Sequence, residues 1–488
     1  MPDRLETVAR SGALGSSPLS PPKTARAASH HEYLSHPDLL RIGRTPIHFF
    51  AVAVAFFAVG VAAMPLVITD VAGFFYQMTP LALVHTFTLG WITATMMGVM
   101  YRYVPALTHH PVPYPRMALA QLALYVIGVS GMVAHFAIGI WLGLWLAAIV
   151  VVISVLMFAA EIIPCLWAHV GRGVAETGMF LGVCFLMLAA AIGLTLGLDK
   201  TYDFLGGSVL TNLSSHVHFA ALGWVTLTIC AVSYRMLPAF LLPKIELPAA
   251  AIWQLYALTL GIVGLGVTLL AGVAGVTLWS IVIAGSLLAY IFTIGRLVRT
   301  RRMPLDWTPR HAICGVVWLV IAIAMGLALG FTGAGGEYGS RIASAYGVTG
   351  LLGWISNFII GMSYQLFPGF VARARTGAGW PAVTIAELSI PVLVAGPRLV
   401  LAAGPQGEIA VVHQPSDGRR GGLEPPALEG PLEFDERAVR PLHAGDGIPG
   451  GRVRQQLLEG RHDSGRRSSR RRGPPPGCRT RSGERTSA

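Results

Sequence analysis

The sequence predicts an all-α, polytopic membrane protein of about 11–12 transmembrane helices in three pseudo-symmetric four-helix units. Three observations carry this. The chain of 488 residues is 53% hydrophobic and only 12% charged, too apolar for an ordinary soluble domain. Its apolar runs are long enough to cross a bilayer as helices. And one motif recurs three times, about 130 residues apart, as an internal repeat.

The repeat centres on SSHVHFAALGWVTLTICAVSYRMLPAF, Ser214 to Phe240. An earlier copy is HTFTLGWITATMMGVMYRYVPAL, His85 to Leu107. With Trp91 aligned to Trp224, His85 matches His218, Leu89-Gly90 matches Leu222-Gly223, Tyr101-Arg102 matches Tyr234-Arg235, and Pro105-Ala106 matches Pro238-Ala239. The third copy, LGWISNFIIGMSYQLFPGF, keeps Trp354, Tyr364 and Pro368 but has Val348 at the histidine position.

Residues 1–44 are polar and lack the apolar core of a cleaved signal peptide, so they read as a disordered cytoplasmic lead. A transmembrane domain over 45–402 follows. Its expected helices run at about 46–69, 80–101 (with His85), 117–138 (with His135), 140–163, 177–198, 210–233 (with His216 and His218), 249–272, 276–298, 311–331 and 343–368. An eleventh, at about 382–402, contains Pro391 and is broken by Gly396-Pro397-Arg398. The units therefore span about 46–168, 177–298 and 311–402. Gln121 with Gly128 and Gly131 matches Gln254 with Gly261 and Gly264, and Glu387 falls at the corresponding place in the third unit. A twelfth helix would complete the pattern. Residues 403–488 are rich in Arg, Gly and Pro and read instead as a disordered basic tail, as a shift of reading frame would produce.

Positive charge follows the even-numbered helices: Arg102, Arg116, Arg172, Arg235, Lys244, Arg296, Arg299, Arg301, Arg302, Arg310, Arg373 and Arg375. The opposite loops carry little beyond Lys200 and Arg341. The positive-inside rule puts the N-terminus in the cytoplasm of a bacterial-type inner membrane. The same distribution explains the net charge of +12 without a nucleic-acid partner. The five cysteines form neither a C-x-x-C pair nor a c-type haem motif, and four lie in or beside apolar runs as small hydrophobes.

Histidines inside a membrane span are expensive and point to function. A lone one, such as His135 or His48, is accounted for by packing; His109, His110 and His311 lie in a loop or at a helix end. His85 and His218 differ because they occupy one position in two repeats. Two neutral imidazoles facing a shared space suit the two axial sites of a low-spin haem iron. His216 precedes His218 by two residues, so the two point about 200° apart on a helix, and one helix can serve two different groups.

HVHFAALGW, His216 to Trp224, resembles the late-helix motif of subunit I of the haem–copper oxidases, above all the cbb-type cytochrome c oxidases and the related nitric oxide reductases. The similarity covers roughly residues 46–400, with strong motifs only in the two histidine helices. It implies twelve helices in three groups of four. It also implies haem b held by His85 and His218, with His216 available to a second haem iron. A role in respiratory or nitric-oxide-related electron transfer follows, alongside other respiratory subunits and with a cytochrome c or quinol donor. The departures are plain. The family's H-x-H lies in the third unit and here lies in the second, and the histidines that would hold copper are missing from the matching helices. Copper is therefore not expected. A turnover function as a divergent oxidase or nitric oxide reductase stays open. So does a haem-free transporter whose histidines line a proton or solute path, with intramembrane Gln121, Gln254 and Glu387 as its polar positions. Trp91, Trp224 and Trp354 are expected to pack the repeats together. The Tyr-Arg pairs are expected to be anchors at the inner membrane interface.

Overall fold

The computed structural model describes residues 45–72, 76–334 and 336–371. Among them every regular element is helical, and ten helices are long and apolar enough to cross a membrane. They are α1 (Thr45–Ala72), α2 (Met78–Thr108), α3 (Pro115–Ala137), α4 (Leu144–Trp167), α5 (Val174–Tyr202), α6 (Val209–Leu241), α7 (Ala250–Ala271), α8 (Val276–Arg299) and α9 (Trp307–Thr332). The last, α10, joins Gly336–Val348, Thr349–Ser356 and Asn357–Val371. The protein is an all-α, multi-pass membrane protein. The lead (1–44), the eleventh apolar run (about 382–402) and the basic tail (403–488) lie outside the described residues.

The expected spans match α1 to α10 in order, and the largest differences are at the C-terminal ends of α2 and α6 and at the start of α10. Helices α2 and α6 run past Pro105 and Pro238 and stop at residues in the left-handed region, His109 (φ 58°) and Leu242 (φ 44°). These two stops are one repeat position. The loop after Leu242 is tied down by backbone bonds from Lys244 N–H to Thr300 O (2.9 Å) and from Arg302 N–H to Leu241 O (3.0 Å).

Small residues set the close crossings, as membrane helices require. A Cβ on Gly128 of α3 would sit 2.9 Å from the backbone N of Val151 on α4; one on Gly261 of α7 would sit 3.2 Å from that of Ile283 on α8. The first unit is thus α1–α4, the second α5–α8, and the third begins with α9 and α10. The cysteines Cys165 and Cys230 are buried thiols in this packing.

Candidate functional site

The second helix of each unit is not α-helical throughout. Thr86–Thr93 in α2, Phe219–Thr226 in α6 and Thr349–Ser356 in α10 are π-helical. Each segment begins directly after the repeat's histidine position: His85, His218 and Val348. A π turn carries i→i+5 hydrogen bonds, widens the helix, and occurs disproportionately at functional sites.

The Leu-Gly-Trp of the motif explains how the wide turn is packed. A Cβ on Gly90 would lie 2.4 Å from Phe56 Cγ of α1, one on Gly223 2.5 Å from Phe185 Cγ of α5, and one on Gly353 2.7 Å from Trp318 Cγ of α9. Within each unit the glycine therefore receives an aromatic ring from the unit's first helix. The tryptophan beside it reaches the preceding unit. Trp224 Nε1 donates to Thr93 Oγ1 at 3.1 Å, and Trp354 Nε1 donates to Thr226 Oγ1 at 3.2 Å, all four side chains being buried. The expectation that these tryptophans pack the repeats together holds for both.

The tyrosines behave otherwise than expected. Tyr101 and Tyr234 are buried, 0% and 2% exposed, not interfacial anchors. Their hydroxyls donate to Gln121 Oε1 (3.4 Å) and Gln254 Oε1 (3.0 Å). A hydroxyl in hydrocarbon needs an acceptor more than it needs the headgroup layer, and the glutamine one helix later supplies it. The glutamines are therefore partners of the tyrosines and are not among the residues lining the cavity described below. His311 lies near the N-terminal end of α9, as expected, and is fully buried there, with its ring 5.6 Å from that of Tyr364.

His85, His216 and His218 line one cavity of about 1500 Å³, bounded by residues of all three units. In each imidazole Nδ1 contacts a backbone carbonyl: His85 with Leu81 O (2.8 Å), His218 with Ser214 O (2.6 Å), and His216 with Ala189 O of α5 (3.0 Å). A carbonyl oxygen only accepts, so Nδ1 carries the hydrogen and Nε2 keeps its lone pair. This is the state in which an imidazole binds a metal. The His85 ring stacks on Phe136 (centroids 5.0 Å) and the His218 ring on Tyr346 (6.2 Å). His216 is in electrostatic contact with His85. Gly193 leaves room for it: a Cβ there would lie 2.9 Å from His216 Cε1. Repeat equivalence pairs His85 with His218, whereas proximity pairs it with His216. His218 instead faces the third unit. His135 does not line the cavity; its Nδ1 is held by Gly131 O at 2.8 Å.

Two features of the cavity were not anticipated. Tyr346 occupies the repeat position of His216, two residues before Val348, so the alignment that found His218 contains it. Among the described residues Lys200 is the one charged side chain that lines the cavity; its Nζ stands 5.0 Å from the Tyr76 ring centroid and 5.3 Å from that of Trp141. Cation–π contacts of this kind hold an ammonium without neutralising it. Sequence had placed Lys200 only as a stray charge in an outer loop. Among the described residues no three His, Cys, Asp or Glu side chains come together as a metal-binding group.

Fold and site together define a class: a multi-pass helical membrane protein with a three-fold repeated motif around a histidine-lined intramembrane cavity. The chain matches no known family model and no curated protein sequence.

Proposed function

We propose that this is a haem-binding membrane protein that carries electrons in a respiratory or nitric-oxide-related chain, on the plan of haem–copper oxidase subunit I without its copper site. The observation that carries this reading is the set of three imidazoles, each with Nδ1 engaged and Nε2 unengaged, around one large apolar cavity. Neutral imidazole is the commonest nitrogen ligand for haem iron. The cavity exceeds the roughly 300–1,000 Å³ usual for small-molecule sites, and Lys200 offers a positive charge to the acid groups that haem b carries. Bound there, haem would supply one-electron chemistry.

The chain's own residues do the rest. Leu81, Ser214 and Ala189 carbonyls fix the imidazole tautomers, and Phe136 and Tyr346 fix the ring planes. The apolar lining keeps water from the site. His85 would offer one nitrogen to the haem iron. A second would come from α6, with His218 favoured by the repeat and His216 by its electrostatic contact with His85; the remaining one would be available to a second haem iron. The working orientation has the N-terminus in the cytoplasm of a bacterial-type inner membrane. A cytochrome c or quinol serves as donor, and other respiratory subunits are partners.

The test is the optical spectrum of the detergent-purified protein. A six-coordinate low-spin haem b signal is expected. His85→Ala removes or converts it, His135→Ala leaves it nearly unchanged, and the comparison of His216→Ala with His218→Ala identifies the second ligand. Protein that folds but contains no haem, or a spectrum indifferent to all three cavity histidines, sinks the reading and returns the field to a transporter with a histidine-lined path.

A further inference from the structure

Away from the histidine cavity, α4 buries a carboxyl that the proposed function does not use. Glu161 is 0% exposed, six residues before the end of α4 and on the arginine-rich side of the protein. Oε2 accepts from the backbone N–H of Tyr114 at 3.0 Å. Oε1 is buried and has no hydrogen-bond partner among the described residues. The titratable groups in electrostatic contact with it are Tyr101 from α2 and Cys165 on its own helix. The Cys165 thiol is itself occupied, donating to Glu161 O (3.5 Å) and to Pro111 O (3.6 Å). Among the described residues the adjoining loop offers only the Tyr114 N–H, and no lysine, arginine or histidine forms an ion pair with the carboxyl.

A carboxylate buried among helices without a cation keeps its charge at a cost that one N–H does not offset. The remaining way to satisfy the second oxygen is a proton. We propose that Glu161 is a proton-binding site, with the proton on Oε1, loaded from the arginine-rich face through the loop that holds Tyr114. That loop is thin cover: Tyr114 is itself 65% exposed. On the inner side the neighbouring groups form a polar chain. Tyr101 OH donates to Gln121 Oε1, Gln121 Nε2 donates to Ser154 Oγ at 2.9 Å, and Ser154 Oγ donates to Gln121 O at 3.0 Å. Ser154 lies on α4 between Val151 and Val155, which line the histidine cavity. Tyr101, in electrostatic contact with the carboxyl, begins this chain, and Ser154, at its other end, adjoins the cavity wall. None of this depends on haem.

The test uses the full-length protein in detergent, with or without haem. The infrared spectrum at neutral pH is expected to contain a protonated-carboxyl stretch that Glu161→Gln removes. Dicyclohexylcarbodiimide, which adds to protonated carboxyls in apolar surroundings, is expected to leave its acylurea on Glu161 and to leave none in the variant. Glutamine keeps the size of the side chain and its acceptor for Tyr114. If that variant fails to assemble, Glu161→Asp takes its place, since a carboxyl on a side chain one methylene shorter cannot keep the same surroundings and must shift the band. A band unchanged by the substitution that assembles overturns the proposal. So does labelling that sodium or calcium ions suppress at fixed pH, which would make Glu161 a metal-cation ligand.

Discussion

Trp224 of the second unit donates its indole N–H to the hydroxyl of Thr93 in the first, across 131 residues of sequence and 3.1 Å of space. Trp354 repeats the contact on Thr226, at 3.2 Å. Each bond joins the π segment of one unit to that of the preceding one. Thr93→Val keeps the shape and removes the acceptor, leaving a buried indole N–H unsatisfied, at a cost of about 1–3 kcal/mol. Thermal unfolding in detergent should show a lower Tm for Thr93→Val and for Thr226→Val. A Tm equal to wild type in both would mean that these bonds contribute nothing to holding the units together.

The glycine beside each tryptophan gives a second, separable prediction. Gly223→Ala would press a methyl group against the Phe185 ring, whose Cγ is 2.5 Å from the added Cβ. Overpacking of this kind costs roughly 1–3 kcal/mol. Phe185→Ala combined with Gly223→Ala should recover part of the loss, because the shorter side chain gives up the Cγ and Cδ1 that the methyl group meets. Additive losses in the double-mutant cycle would show that the wide turn relaxes by another route.

Loop charge makes a topological prediction. A reporter fused after Arg302 should read cytoplasmic, and one fused near Asp203 should read periplasmic. The reverse pair of readings would invert the membrane orientation and put Glu161 on the opposite face.

Metal analysis addresses copper. Copper favours a set of imidazoles, yet α7 contains no histidine and the third repeat has Val348 at the motif position. Purified protein is expected to hold no stoichiometric copper and to consume negligible oxygen with an artificial donor. Stoichiometric copper with cyanide-sensitive oxygen uptake that His216→Ala abolishes would restore an oxidase.

The architecture was legible because membrane spans are written in composition and the repeat in spacing. Ten helices could be placed within a few residues, except at the C-terminal ends of α2 and α6 and at the start of α10. Pro105 and Pro238 lie inside helices because a carbonyl freed by proline can be re-satisfied locally in a membrane protein. The cavity histidines His85, His216 and His218 were legible as polar exceptions in apolar runs. Their neighbours were not. Nothing in the sequence shows that His218 turns towards Tyr346 while His216 comes within electrostatic reach of His85, since a repeat fixes equivalence and leaves proximity to the packing. The π segments were invisible as such: they add a residue per turn without changing residue type. Lys200 escaped notice because its role comes from two rings, Tyr76 and Trp141, brought together only by the fold.

The direction of the tryptophan–threonine bonds bears on biosynthesis. In both, the acceptor precedes its donor in the chain: Thr93 before Trp224, Thr226 before Trp354. A ribosome therefore delivers each hydroxyl to the membrane before the indole that will claim it. Neither bond requires a unit to wait for a later one to supply its acceptor, so the chain order allows each unit to dock as it is made.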